Sequence, residues 1–239
     1  MQSAHERAPA AEPLAGEETV RDRILRAAIE KIARKGPVAT TVRDICLACD
    51  ANVAAVSYYF GAKEHLVKEA LLAILEPVNI ARLRLLDDAQ RQYAPGPAPV
   101  PLVLEALLRP LVECERSADG GRLFIRTEQH LRANPDSDYT RYVARRLDHY
   151  AQRFIDALAR SMPRYTRSEV IWRYEFIRGA AMHLLGNCDP LSDKFHVLAA
   201  GHGMIDFDDN DIILKELLAI ATAGIASPPA WGDAQLSRT

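Results

Sequence analysis

From residue 17 onward, apolar positions recur with the period of an α-helix. Val20, Ile24, Ala28 and Ile32 stack on one face, and Leu25 and Ile29 widen the stripe. Thr19 is placed to cap this helix and Gly36-Pro37 to end it. A short second helix follows, capped by Thr40 or Thr41, with Asp44 in its first turn and Val42, Ile45 and Ala48 as apolar positions. Asp50-Ala51-Asn52 makes a tight break before a third short helix over 53–60. Gly61 stops that helix, and Lys63 opens a longer one through Glu76. Pro77 is expected to kink or end it, with helical character resuming to about Gln92. The proline-rich stretch 94–101 reads as a rigid, extended linker. Further helices are predicted at 102–117, 121–133, 137–161, 167–187 and 210–226, separated at Asn134-Pro135, Met162-Pro163 and Asp189-Pro190.

No segment alternates like a strand and no internal repeat is visible. The expected fold is all-α: a three-helix helix-turn-helix head over 17–66 and a larger helical body over 67–226. Residues 1–16 read as a disordered arm and 227–239 as a flexible tail.

Composition narrows the function classes. With 49% hydrophobic and 26% charged residues in 239, the chain should fold as an ordinary globular protein. No apolar run approaches the roughly 18–20 residues of a membrane span. The first residues lack the apolar core of a secretory signal, and four cysteines are no disulfide scaffold. A cytoplasmic protein with no membrane partner is expected. Thirty Lys and Arg against 32 Asp and Glu give a net charge of −2, which does not announce a nucleic-acid binder. Placement says more than the sum: Arg21, Arg23, Arg26, Lys31, Arg34 and Lys35 concentrate positive charge in the first helix.

Two short helices joined by a tight turn and followed by a longer helix have the grammar of a helix-turn-helix. In the third helix, Val53, Val56 and Phe60 fall on the side expected to be buried. Ala54, Ala55, Tyr58 and Tyr59 fall opposite, with Ser57 at the border. Small residues let a helix backbone approach a surface, while tyrosine hydroxyls donate to phosphates and aromatic rings touch thymine methyls. Asn52 either caps the helix or reaches a base edge. Taken by itself the Tyr58-Tyr59 pair suits half-buried packing with exposed hydroxyls better than DNA contact.

The strings R-I-L-R-A-A, G-P-V-A-T-T-V-R-D-I-C and N-V-A-A-V-S-Y-Y-F-G-A-K-E-H-L resemble the DNA-binding region of the TetR family of bacterial repressors. Gly36, Thr41, Ile45, Val53, Tyr59, Phe60, Lys63 and Leu66 stand where that pattern expects them. The resemblance implies that Thr41 and Arg43 touch the phosphate backbone, that Ala54, Ala55 and Tyr58 face base edges, and that Tyr59 and Lys63 clamp phosphates. Cys46 and Cys49 depart from the pattern, which has alanine there, and Asp50 stands where glycine is common. A C-x-x-C pair admits a redox or metal role, but no second pair accompanies it, and cysteine is the ordinary small apolar replacement for alanine.

The body carries no G-x-S-x-G, H-E-x-x-H, P-loop or G-x-G-x-x-G, so an enzyme is not expected, and neither is a cofactor or metal. His130, His149, His183, His196 and His202 lack ligand spacing. His196 and His202 near Asp206 and Asp208 leave a cation site open, against the simpler reading of a solvated loop before a helix. The segment 167–187 is apolar nearly all round, and the last helix lines up Ile213, Leu217, Ile220 and Gly224. Both helices suit either the core of one chain or a four-helix dimer interface. The family resemblance implies the dimer.

Between the middle helices a pocket is expected, walled by Phe124, Tyr142, Tyr150, Phe154, Tyr174, Ile177 and Met182, with Arg178 as polar anchor. Arg126, Arg145 and His183 are further anchor candidates, and Ile125 and Leu147 further walls. The run W-R-Y-E-F-I-R-G-A-A-M-H-L-L-G also looks like the C-terminal domain of TetR repressors in a group with fatty-acid-responsive members. That likeness points to a fatty acid or acyl-CoA effector. The expected function is a homodimeric repressor that leaves double-stranded operator DNA when a small apolar effector binds. A ligand-dependent activator or a co-repressor-type regulator is the alternative, and a helical enzyme with a DNA-binding appendage a distant one.

Overall fold

A computed structural model of the chain describes residues 18–192, 194–200, 206 and 209–228. The predicted arm at 1–16, all but the first two residues of the tail, His202, Asp208 and the side chain of His196 lie outside them. Among the described residues there are ten helices: α1 (Val20–Lys35), α2 (Val42–Cys49), α3 (Val53–Phe60), α4 (Lys63–Gln92), α5 (Val100–Val112), α6 (Leu123–Ala133), α7 (Asp138–Ser161), α8 (Arg167–Asn187), α9 (Lys194–Leu198) and α10 (Asn210–Ile225). The one β feature described is an isolated antiparallel bridge between Arg116 and Arg122.

The helix starts follow from side-chain chemistry. Thr19, Thr41 and Thr166 each accept a hydrogen bond from the amide three residues on, and Asp22, Asp44 and Glu169 reach back to close the reciprocal bond. Asn52 and Ser137 cap α3 and α7 with one such bond each.

Two expectations need correction. Pro77 does not break its helix: α4 runs unbroken for 30 residues. Proline removes one rung of the ladder. Here its ring is exposed, while Ile74, Leu75, Val78 and Asn79 on either side are buried and keep the helix continuous. The helix predicted at 102–117 begins earlier and stops at Val112, since Pro101 suits a first turn. Residues 113–122 instead form a tight loop whose Cys114 and Ser117 are buried.

Ile24, Ile32, Ile45, Val56, Phe60 and Leu66 form the core of the head, drawn from α1 to α4. The α4 helix then continues into the body and packs on α5 and α7. The head is also braced from the side, because α1 packs on α6. At that contact Gly36 has φ 81°, and a Cβ on it would lie 3.0 Å from the His130 ring. The amide of Ala118 also donates to Glu30 at 3.4 Å.

Candidate nucleic-acid interface and body cavity

The turn between α2 and α3 explains one sequence oddity. Asp50 occupies the left-handed region, φ 49° and ψ 47°, which glycine adopts freely and aspartate better than most side chains. The reversal sets α3 against α1 and α4 through Val56 and Phe60 and leaves the rest of its surface outward. Ala54, Ser57 and Tyr58 are exposed, Tyr58 to 82%. Tyr59 is 40% exposed and meets Tyr58 edge to face, with ring centroids 5.0 Å apart. Ala55 is half-buried against the core.

Val53, expected to be buried, is 57% exposed. In steps of roughly 100° it lies about 60° from Val56 and about 20° from Phe60, on the same stripe, but as the first residue of α3 it stands at the end of the helix, where the head core does not cover it. Its exposure, not its angular position, makes it accessible at the start of α3.

Around this face stand Thr41, which is spent on capping α2, and the exposed Arg43. Asn52 gives its side-chain oxygen to the Ala55 amide at 2.7 Å. Lys63 opens α4, the one helix of the first four with no side-chain cap, so amides at its start remain open. Arg21, Arg26 and Lys35 are tied to Glu69, Glu18 and Asp44. The Lys35 ammonium and the Thr41 bonds hold the Asp44 carboxyl well below the usual carboxylate range. Cys46 is buried and Cys49 donates to the Ile45 carbonyl at 3.2 Å. Among the described residues no group of histidine, cysteine and acidic side chains is arranged to hold a metal.

The body holds a cavity of about 460 Å³ between α4, α6, α7 and α8. Phe124, Tyr150, Tyr174, Arg178 and Met182 line it, together with Leu147. Tyr142, Phe154 and Ile177 do not. Tyr142 lies under the Lys68 ammonium, while Phe154 and Ile177 belong to the packed core. Sequence reasoning missed the floor contributed by α4, Asn79 and Arg82, and missed Glu128 on α6. Arg178 faces Glu128 at 3.5 Å and Glu175 at 3.1 Å.

Arg126 is no ligand anchor, being fully engaged. It donates through Nε and Nη2 to Asp189, at 2.6 and 2.7 Å, and through Nη1 to Asp119 at 2.7 Å. Ser117 and Arg126 hold the Asp119 carboxyl down at about 2. Arg145 and His183 are exposed, and His183 bonds to Asn187.

A third feature is an uncovered apolar face. Trp172 is 78% exposed and Phe176 72% on α8, and Ile220 is 66% exposed on α10. Gly179 and Gly224, one on each helix, have no described atom within 4 Å of where a Cβ would stand. Leu217 and Ile213, predicted on the same stripe as Ile220, are buried inside the chain, as is Ile177. Among the described residues no helix is long and apolar enough to cross a membrane.

The sequence matches two family profiles. "Bacterial regulatory proteins, tetR family" covers residues 24–70, and "Tetracyclin repressor-like, C-terminal domain" covers 105–224, half of the chain. Among solved structures, the chain is similar to "Probable transcriptional regulatory protein RHA5900", with 21% identity, a TM-score of 0.59, and 87% of this chain and 100% of that one covered. A candidate transcriptional regulator from Pseudomonas aeruginosa PAO1 gives 14% identity and a TM-score of 0.53 over 86% of this chain and 88% of that one. At these identities the likeness shows the fold. No curated protein is a significant match. The helix-turn-helix head, the helical body and the two profiles agree: the chain belongs to the tetR family of bacterial regulatory proteins and is a DNA-binding transcriptional regulator, not an enzyme.

Proposed function

We propose that the protein is a homodimeric repressor whose α3 helices enter successive major grooves of an operator, and that a small molecule in the body cavity lowers its affinity for that DNA. The observation that carries this reading is α4, which starts beside the recognition helix and supplies the floor of the cavity. A ligand that favours a different packing of α4 thereby favours a different placement of α3.

Ala54, Ala55, Ser57 and Tyr58 are the base-facing set, with Val53 added by its exposure. Thr41, Arg43, Tyr59 and Lys63 are the phosphate set, with Asn52 fixing the start of α3. An uncapped helix start carrying a lysine suits a phosphate oxygen. Two α3 helices bind half-sites about 34–36 Å apart, one turn of duplex. The second copy comes from the exposed face of α8 and α10, since a monomer rarely leaves such a patch in water. The head spans 17–66 and the body 67–226, with α4 belonging to both.

The test is an operator recovered by selection from random duplex DNA, then read by fluorescence anisotropy against salt. Tyr58→Ala should lose about 1–3 kcal/mol of discrimination at the bases it faces. Lys63→Ala should weaken all sequences alike and lower the salt slope by about one. Unchanged affinity in both variants removes α3 as the reading head.

A further inference from the structure

Arg82 sits in the second half of α4, and at 5% exposure its side chain is inside the protein. Its three nitrogens fare differently. Nη1 donates to the Asn79 side-chain oxygen at 3.0 Å, and Asn79 is itself fixed by donating to the Leu75 carbonyl at 2.9 Å. Nε and Nη2 have no hydrogen-bond partner among the described residues. Those two nitrogens form one edge of the guanidinium plane, the edge that grips a carboxylate with two parallel bonds. The other face of the group lies over the Phe154 ring, 5.3 Å from its centroid. The orphaned edge belongs to a residue that lines the cavity, and so does its tether Asn79.

Native proteins pair their buried charges, because a lone guanidinium away from water is expensive. Of the three carboxylates that line the cavity, Asp148 is exposed and the other two are committed. Glu128 and Glu175 both pair with Arg178, and Glu175 is half exposed at the rim. Burial pulls the Arg82 pKa down and the neighbouring Arg178 adds to that pull, while the Tyr174 hydroxyl and Glu128 oppose it. Unlike the exposed Arg132, which also lines the cavity, Arg82 is thus a buried charge with no carboxylate paired to it among the described residues, beside apolar walls from Leu111, Phe124, Leu131 and Leu147.

We infer that the cavity takes a monoanionic organic acid whose carboxylate closes on the Nε–Nη2 edge of Arg82 while its hydrocarbon part lies along those walls. A volume of about 460 Å³ falls within the usual pocket range of roughly 300–1,000 Å³. The inference rests on the reading of this cavity as the effector site, and adds the chemistry that the effector must carry. Aliphatic and aromatic acids share that chemistry, and the experiment separates them.

The full-length protein is titrated calorimetrically with octanoate, decanoate, benzoate and phenylacetate, each paired with its neutral primary amide. At least one acid should bind, with its amide weaker by tenfold or more, and Arg82→Met should erase the difference. Chain-length dependence, or its absence, tells an aliphatic acid from an aromatic one. Arg82→Lys keeps the charge but loses the fork, so acid binding should fall at least tenfold. That variant also carries the test if Arg82→Met does not fold. A second readout needs no ligand: removing an uncompensated buried charge should raise the melting temperature of the unliganded Arg82→Met protein.

Failure of every acid to bind, equal binding of acid and amide, undiminished acid binding in Arg82→Met, or a lowered melting temperature in that variant each overturns the proposal. The effector reading fails separately. An acid that binds through Arg82 yet leaves operator affinity unchanged upholds the anion site and removes its link to DNA. An amide that releases DNA upholds the link and overturns the anion site.

Discussion

Arg126 shows how much a single side chain organises here. Its guanidinium ties the 117–121 loop to Asp189 after α8, using Ser117, Asp119 and both oxygens of Asp189. Gly121 makes room for it: a Cβ there would lie 2.1 Å from the Arg126 Cζ. Gly121→Ala should therefore displace a buried, four-bonded cation and destabilise the protein by about 2–4 kcal/mol. Gly186→Ala is the matched control. Its Cβ would meet Gln129 Nε2 at 2.0 Å, but Gln129 is exposed and free to swing away, so the cost should stay under about 1 kcal/mol. Chemical denaturation of both variants checks the contrast, and equal losses would mean that Arg126 relaxes as easily as Gln129.

The roles of Arg82 and Arg126 were hard to see in the sequence for the same reason. In R-L-R-L-L-D-D, Arg82 sits among charged neighbours and reads as part of a solvated face. Only the turn of α4 past Pro77 decides that Arg82 points inward while Arg84 points to water. Arg126 looked free because its partners lie 7 and 63 residues away.

At the scale of elements the sequence was far more readable. Threonine and asparagine caps, glycine stops and a 3.6-residue stripe are local signals, and α1, α2, α3, α7 and α8 lie within a residue or so of where those signals put them. The signals fail where tertiary packing overrides them. Buried neighbours carry α4 through Pro77, and the loop at 113–122 is held by Ser117, Arg122 and Arg126, not by a helix ladder. α8 shows a different limit. Its apolar residues surround the whole helix, so the pattern could not say which of them face the chain's own core.

The structure divides them. Ile177 and Leu217 are buried within one chain, whereas Trp172, Phe176 and Ile220 are outside. Charge placed on the outer set should separate the two copies of a dimer without unfolding either. Phe176→Glu or Ile220→Glu is expected to give a folded monomer in sedimentation at micromolar concentration, with operator affinity down at least a hundredfold as the second half-site is lost. Glutamate at Ile177 should instead unfold the chain. A Phe176→Glu protein that stays dimeric would move the interface elsewhere.

The molecule as a whole is one interlocked body. The buried side of α1 is shared between α4 and α6, and Gly36, His130, Glu30 and Ala118 meet at that seam. A fragment ending at Glu76 keeps the head core of Ile24, Ile45, Val56 and Phe60 but uncovers the face that α6 protects. It should melt without the sharp transition of the intact protein, and at a temperature at least 10 °C lower. Calorimetry of both settles this, and coincident transitions would show a head that stands alone.

The length of α4 has a mechanical consequence. Thirty residues make a rod of about 45 Å, and Lys63 lies about 28 Å from Arg82 along it. A tilt of about 5° pivoted at Arg82 sweeps the other end through roughly 2.5 Å, and two protomers moving oppositely would alter their separation by about 5 Å. Hydrogen bonds to bases and phosphates weaken within a few tenths of an ångström of their best length. The missing rung at Pro77 lies between the pivot and the tip, and there the rod is least stiff. Flexure at that point would absorb motion before it reached Lys63, so the leverage depends on Ile74, Leu75, Val78 and Asn79 keeping the proline turn clamped.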